Sequence, residues 1–163
     1  MSGGNEMKFN EDSRVKVPAL LHFRRLDYEY QTKKNAKIDN RNNIFVDIFK
    51  ESINRINNNN YTDKEINELI REIALLTDNT KDKGQAFFER LVSNKGIKLI
   101  DLKKPLNNDF RVVSELTFKK ERQEFRPDIT ILINGIPLGF LEVKKPNNEN
   151  GIQREFDRMK YRA

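Results

Sequence analysis

Three charged residues near the C-terminal end of the chain have the types and spacing that hydrolysis of a phosphodiester requires. Asp128 opens one predicted strand, and Glu142 and Lys144 close the next one as Glu-x-Lys. Carboxylate oxygens, together with a backbone carbonyl such as that of Val143, suit a hard divalent cation. A lysine two residues from Glu142 could orient the attacking water or offset charge on the phosphorus. The pattern predicts a metal-dependent phosphodiester hydrolase that uses Mg²⁺, with Mn²⁺ as the alternative.

Two strands and a tight turn must position these residues. Residues 129–133 alternate isoleucine with other β-formers, which predicts a strand. Asn134-Gly135 is a strong signal for a short turn, because both residues tolerate a positive φ. Pro137 fits the start of a second strand at a sheet edge, where no backbone donor is needed.

The register of this hairpin decides whether the two carboxylates meet. A strict two-residue loop would pair Asp128 with Leu141, and Glu142 would then point to the opposite face. A glycine bulge at the turn, or a bulge within a strand, would shift the register by one residue. We therefore predict an irregularity between Ile133 and Glu142 rather than an ideal hairpin.

Residues 127–138 and 141–146 together resemble the nuclease core of the PD-(D/E)xK superfamily. More narrowly, they are similar to the N-terminal domain of the restriction (R) subunit of type I restriction–modification enzymes. The resemblance is strong over residues 110–146, weaker near the N-terminus and vague over residues 35–83. It implies an endonuclease domain, a type I site-specific deoxyribonuclease, that cuts double-stranded DNA within an ATP-dependent complex. The implied partners are the modification and specificity subunits.

The resemblance also implies a further acid on the first helix, which holds the metal through water. Its spacing to residues 28–30 favours Asp12 over Glu11, and Glu89 is an outside candidate. Acids before a helix also simply complement its dipole, so a purely structural role stays open.

A basic amphipathic helix is predicted for residues 151–163, after the Glu-x-Lys motif. Many relatives carry Gln-x-x-x-Tyr here, but Asp157 precedes Tyr161 by four residues and Gln153 lies a turn too early. The candidate DNA-binding residues are Arg154, Arg158 and Tyr161. A solvated helix face explains the two arginines equally well.

Composition narrows the class of protein. The chain has 163 residues, 34% of them charged, and a net charge of +6, which suits a polyanionic partner. The absence of cysteine excludes disulfides and thiolate metal sites, and a single histidine, His22, argues against histidine-based catalysis. Because no stretch approaches 18 apolar residues, the chain is expected to be soluble and cytoplasmic, without a membrane partner.

Periodicity predicts an α+β fold with helices first. Helices are expected over residues 13–26, 45–56, 62–76 and 87–92, with core aromatics at Phe87 and Phe88 and a loop over 33–43. Strands are expected over 98–102 and 110–118, with a charged connection over 121–126. Together with the hairpin these elements form a restriction-endonuclease-like core, a mixed and mostly antiparallel sheet of about four strands flanked by helices.

Residues 1–163 are expected to form a single nuclease domain with a flexible lead-in at 1–10. The chain contains no Gly-rich Walker-type loop, so ATP is expected to bind only in a longer, motor-containing parent. Two other functions stay open. One is a repair or junction-resolving nuclease of the same fold, and the other is a non-catalytic DNA-binding or docking module.

Overall fold

The computed structural model describes residues 15–120 and 123–144. The helices are α1 (Val17–Arg25), α2 (Val46–Asn57), α3 (Asp63–Asp78) and α4 (Gln85–Val92). The strands are β1 (Glu29–Tyr30), β2 (Phe110–Ser114), β3 (Phe118–Lys120), β4 (Gln123–Phe125), β5 (Ile129–Ile133) and β6 (Ile136–Leu141). None of the helices in these two ranges is both long and apolar enough to span a lipid bilayer.

The main sheet has four strands in the order β1-β2-β5-β6. Strand β1 runs parallel to β2, whereas the β2–β5 and β5–β6 pairs are antiparallel. Strands β3 and β4 form a separate two-stranded hairpin. The α+β fold and the mixed, mostly antiparallel sheet are therefore confirmed, and β1 is a strand that the sequence did not predict.

Helices α2 and α3 supply most of the main core. The apolar stripe of α2 buries Phe49, Ile53 and Ile56, as its 3.6-residue periodicity predicted. Helix α3 opens with a capping box, in which the Thr62 hydroxyl accepts from the Glu65 N–H and the Glu65 carboxylate accepts from the Thr62 N–H. The two helices predicted for residues 45–56 and 62–76 are confirmed.

The turn between β5 and β6 docks against the start of α2. Asn134 and Gly135 have φ values of 52° and 78°. A two-residue Asn-Gly hairpin turn requires a positive φ at both central residues. The Phe45 N–H donates to the Gly135 carbonyl at 3.0 Å. A Cβ on Gly135 would lie 2.8 Å from the Phe45 oxygen and 2.9 Å from the Phe49 nitrogen. Only glycine fits this close approach, which fixes the hairpin to the helical layer.

The predicted strand over residues 98–102 is wrong. This segment forms bends, and Leu99 is buried while Asp101 closes a local turn. The Asp101 carboxylate accepts from the N–H groups of Lys103 and Lys104. The Asn108 amide bonds to both the N–H and the carbonyl of Asp101. These local side-chain bonds replace the ladder that a strand would need.

The predicted strand over residues 110–118 ends early, at Ser114. Glu115 adopts a left-handed backbone with φ 52°, which breaks the extended conformation. The chain then leaves the main sheet and forms the β3–β4 hairpin, so the predicted charged connection over 121–126 contains a strand instead.

Parts of helices α1 and α4 are exposed, contrary to the prediction for Phe88. Helix α1 buries none of its own residues, and Val17 and Leu21 are 47% and 56% exposed. Phe87 packs against the main core, but Phe88 is 63% exposed and is not a core residue. The predicted helix start at Ser13 lies outside the described residues.

Candidate active site

Strands β5 and β6 change register once along their length. Leu132 pairs with Pro137, whereas its neighbour Ile131 pairs with Gly139. Leu138 is therefore the extra residue of a β-bulge. The predicted irregularity is confirmed, and it lies within β6 rather than at the turn.

The bulge determines which residues face each other at the end of the sheet. The last pair of the ladder is Ile129 with Leu141. Continuing this register by one residue sets Asp128 opposite Glu142. Directly paired residues project to the same face, so this continued register would put both carboxylates on one side of the sheet. If Leu138 were instead paired with Ile131 in a regular ladder, Asp128 would lie opposite Leu141.

Asp128 is held from both neighbouring strands. Its carboxylate Oδ2 accepts from the Val143 N–H at 2.9 Å, directly beside Glu142. Its carbonyl accepts from the Glu115 N–H at 3.1 Å, which extends the β2–β5 ladder by one bond. The preceding Pro127 is buried and fixes the chain's entry into β5. The orientation of this carboxylate is therefore set by backbone contacts.

Glu142 and Lys144 follow the end of β6. Both side chains are half-buried, as is Asp128. The three charged groups thus lie at one end of the β5–β6 pair, with Lys144 two residues beyond Glu142 at the edge of the described chain.

An aromatic cluster borders this end of the sheet. Phe140 pairs with Thr130, which places its ring on the same face as Asp128 and Glu142. Phe118 and Phe125 of the β3–β4 hairpin meet that ring edge-to-face at 4.9 and 5.5 Å between centroids. The hairpin therefore adds an apolar cluster to the sheet face that carries Phe140.

Thr130 adds a polar group to the same face. The residue is fully buried, and within the described part of the chain its hydroxyl has no hydrogen-bond partner. Such a group costs about 1–3 kcal/mol. Valine would satisfy strand propensity and burial without that cost, so packing alone does not account for threonine here.

Sequence reasoning missed Glu115 and Lys16. The Lys16 ammonium lies 2.9 Å from Glu115 Oε1, and the lysine side chain is only 11% exposed. Lys33 Nζ donates to the Glu115 carbonyl at 2.7 Å. No local signal could reveal this cluster, because the Lys16–Glu115 contact spans 99 positions in sequence.

The donor set fits a magnesium-type cation. Asp128 and Glu142 offer carboxylate oxygens from facing positions, and the Val143 carbonyl lies on the same segment. Magnesium commonly uses one or two carboxylates and completes its shell with waters and substrate phosphates. Across residues 15–120 and 123–144, no group of three or more His, Cys, Asp or Glu could hold a metal ion.

Several predicted site residues lie outside the described residues: Glu11, Asp12, Gln153, Arg154, Asp157, Arg158 and Tyr161. Glu89 is described, and it is an exposed residue of α4 whose carboxylate accepts from Gln85 at 2.8 Å. His22 is exposed on α1, as a surface residue would be.

Comparison with known proteins places these observations in a family. Residues 8–162 match the family described as type I restriction enzyme R protein N terminus. A putative type I restriction enzyme MjaIXP endonuclease subunit of Methanocaldococcus jannaschii is 26% identical over 92% of this chain. A putative MjaVIIIP endonuclease subunit of the same organism is 37% identical over 56% of the chain. The matches span only 16% and 8% of the length of these relatives.

Proposed function

The chain belongs to the type I restriction enzyme R protein N-terminus family, and we propose that it is a metal-dependent nuclease domain acting on double-stranded DNA. The observation that supports the proposal is the bulge at Leu138, since the register it creates, continued one residue past the Ile129–Leu141 pair, would bring Asp128 opposite Glu142. A bulge beside two acids is typical of an active site, where it re-aims side chains.

Each residue has a distinct role in the proposed site. Asp128 and Glu142 would hold the cation, with the Val143 carbonyl as a further oxygen ligand. A bound Mg²⁺ or Mn²⁺ would lower the pKa of a coordinated water and offset the charge of the phosphate. Lys144 would orient the attacking water or stabilise the negative charge that develops on phosphorus. The aromatic cluster around Phe140 would strengthen these electrostatic interactions by excluding bulk water.

The proposed setting is an ATP-dependent restriction complex. The two relatives are named as endonuclease subunits, and most of their length lies outside the matched region. ATP hydrolysis would belong to that remaining part, and the modification and specificity subunits would be the partners. The net charge of +6 favours a polyanion such as DNA.

A non-catalytic DNA-binding or docking module is the second candidate. One observation favours it: among the residues that the structure describes, no cluster of three or more potential ligands could hold a metal. Binding of a divalent cation separates the two candidates, because a docking module needs none.

DNA cleavage by the longer polypeptide that contains this chain tests the proposal. Asp128→Ala, Glu142→Ala and Lys144→Ala should each abolish cleavage, while ATP hydrolysis continues. Glu68→Ala is a suitable control, since Glu68 is an exposed residue of α3 and cleavage should be unchanged. Cleavage at the wild-type rate by the Glu142 variant would refute the catalytic assignment.

A further inference from the structure

Glu115 has an unusual backbone for a long, charged residue. Its φ of 52° lies in the left-handed region, which L-residues other than glycine, asparagine and aspartate seldom adopt. Strain of this kind persists only where surrounding contacts over-determine it, and it is concentrated at functional sites. Glu115 is therefore a position where the fold accepts a cost in stability.

Polar contacts with Asp128, Lys33 and Lys16 help to hold Glu115 in this conformation. Its N–H donates to the Asp128 carbonyl at 3.1 Å. Its own carbonyl accepts from Lys33 Nζ at 2.7 Å, and its carboxylate accepts from Lys16 Nζ at 2.9 Å. Because the Glu115 N–H bonds to the Asp128 carbonyl, the backbone position of Glu115 restrains that of Asp128.

Of Lys16 and Lys33, Lys16 is the more buried. Its side chain is only 11% exposed, whereas the Glu115 side chain is 44% exposed. Burial of an ammonium costs free energy unless acceptors surround it, so Lys16 favours the conformation that keeps the Glu115 carboxylate beside it. Lys16 also directly precedes α1, which ties that helix to the catalytic end of the sheet.

We propose that Glu115, held by Lys16, is a positioning residue that fixes the Asp128 carboxylate for binding the cation. The inference rests on the proposed nuclease function and adds a residue to its site. Glu115 itself touches neither the cation nor the reacting atoms. It acts through the backbone of Asp128, whose carboxylate must stay opposite Glu142 for both acids to share one ion.

The chain offers a closely matched control. Glu72 and Arg90 join α3 to α4 through a contact of 2.6 Å, and their side chains are 45% and 16% exposed. The two ion pairs thus have the same charge types and similar burial, but of the two acids only Glu115 bonds to Asp128, through its backbone N–H. A purely structural role predicts the same behaviour for Glu115→Gln and Glu72→Gln.

Mn²⁺ titration of the 163-residue chain by calorimetry, with the melting temperature measured without metal, tests the proposal. Glu115→Gln should lower the Mn²⁺ affinity about tenfold, as loss of an orienting partner of a metal ligand typically does. Glu72→Gln should change the affinity less than about twofold, despite a similar loss of melting temperature. Equal Mn²⁺ affinities for wild type and Glu115→Gln would overturn the proposal.

Two further variants complete the design. If Glu115→Gln lacks a cooperative thermal transition, Lys16→Met is compared with Lys16→Arg, which preserves the charge. Only Lys16→Met should lose affinity, and equal affinities for the two would overturn the proposal. Asp128→Asn tests the proposed metal site itself, on which the role of Glu115 depends. If Asp128→Asn binds Mn²⁺ like wild type, the proposed nuclease site is wrong. If Asp128→Asn loses Mn²⁺ affinity but Glu115→Gln does not, only the proposed role of Glu115 is wrong.

Discussion

The Asp128 carboxylate accepts a hydrogen bond from the Val143 N–H, with 2.9 Å between Oδ2 and the nitrogen. This bond joins the start of β5 to the segment just beyond β6. It holds one acid of the candidate site against the short stretch that carries Glu142 and Lys144. A backbone donor cannot change rotamer, so the bond restrains Asp128 more firmly than a side-chain donor would.

Divalent cations should stabilise the folded chain. If Asp128 and Glu142 take the facing positions that the continued register gives them, a cation bound between them would relieve their repulsion. At a hundredfold excess of Mn²⁺ over its Kd, the free energy of unfolding should rise by about 2.7 kcal/mol. Thermal unfolding with and without Mn²⁺ measures this gain. Asp128→Asn should remove it, and an equal gain in that variant would place the cation elsewhere.

Deletions in β6 test how the bulge sets the register. Deleting Leu138 alone should leave the same pairs in a regular ladder, with Asp128 still opposite Glu142 and Mn²⁺ binding retained. Deleting Leu138 and Gly139 together should shift the register, set Asp128 opposite Val143 and abolish binding. Calorimetry measures binding, and circular dichroism verifies folding. A folded single deletion that fails to bind Mn²⁺ would contradict this account of the bulge.

Gly135→Ala should destabilise the fold more than Gly96→Ala. Both glycines have a positive φ, of 78° and 70°, so each substitution introduces similar backbone strain. Only at Gly135 would the new Cβ meet neighbouring backbone, whereas nothing lies within 4 Å at Gly96. We expect a loss of about 1 kcal/mol for Gly96→Ala and at least about 2 kcal/mol for Gly135→Ala. Urea unfolding measures both, and equal losses would contradict the docking of the turn on α2.

Acid should weaken the loop around Asp101. The Lys104 N–H, followed by the Asn107 side chain, lowers the pKa of the Asp101 carboxyl below its usual range. Its folded-state pKa is thus below the unfolded one, so the stabilisation is present above about pH 3.9 and is lost as the pH falls through the folded pKa.

Melting temperatures between pH 5 and pH 2.5 would measure this effect. Asp101→Asn should melt lower than wild type at pH 5, and the difference should shrink toward pH 2.5. A difference that stays constant over this range would show that the carboxylate's charge is not what stabilises the loop.

The sequence by itself determined the elements whose signals are local. The strand of alternating isoleucines over residues 129–133, the Asn134-Gly135 turn and the helix predicted over residues 62–76 each depend on neighbouring residues, and each was predicted correctly. The need for a register shift also followed from counting residues between Asp128 and Glu142. The catalytic roles of these residues and of Lys144 stay predictions.

Tertiary structure decided what depends on distant partners. The position of the bulge at Leu138, the short parallel strand β1 and the β3–β4 hairpin against Phe140 all depend on packing between separate elements. The Lys16–Glu115 pair and the left-handed backbone of Glu115 depend on contacts across most of the chain. Local propensity is worth tenths of a kcal/mol per residue, so buried contacts between distant residues override it and determine the surroundings of Asp128.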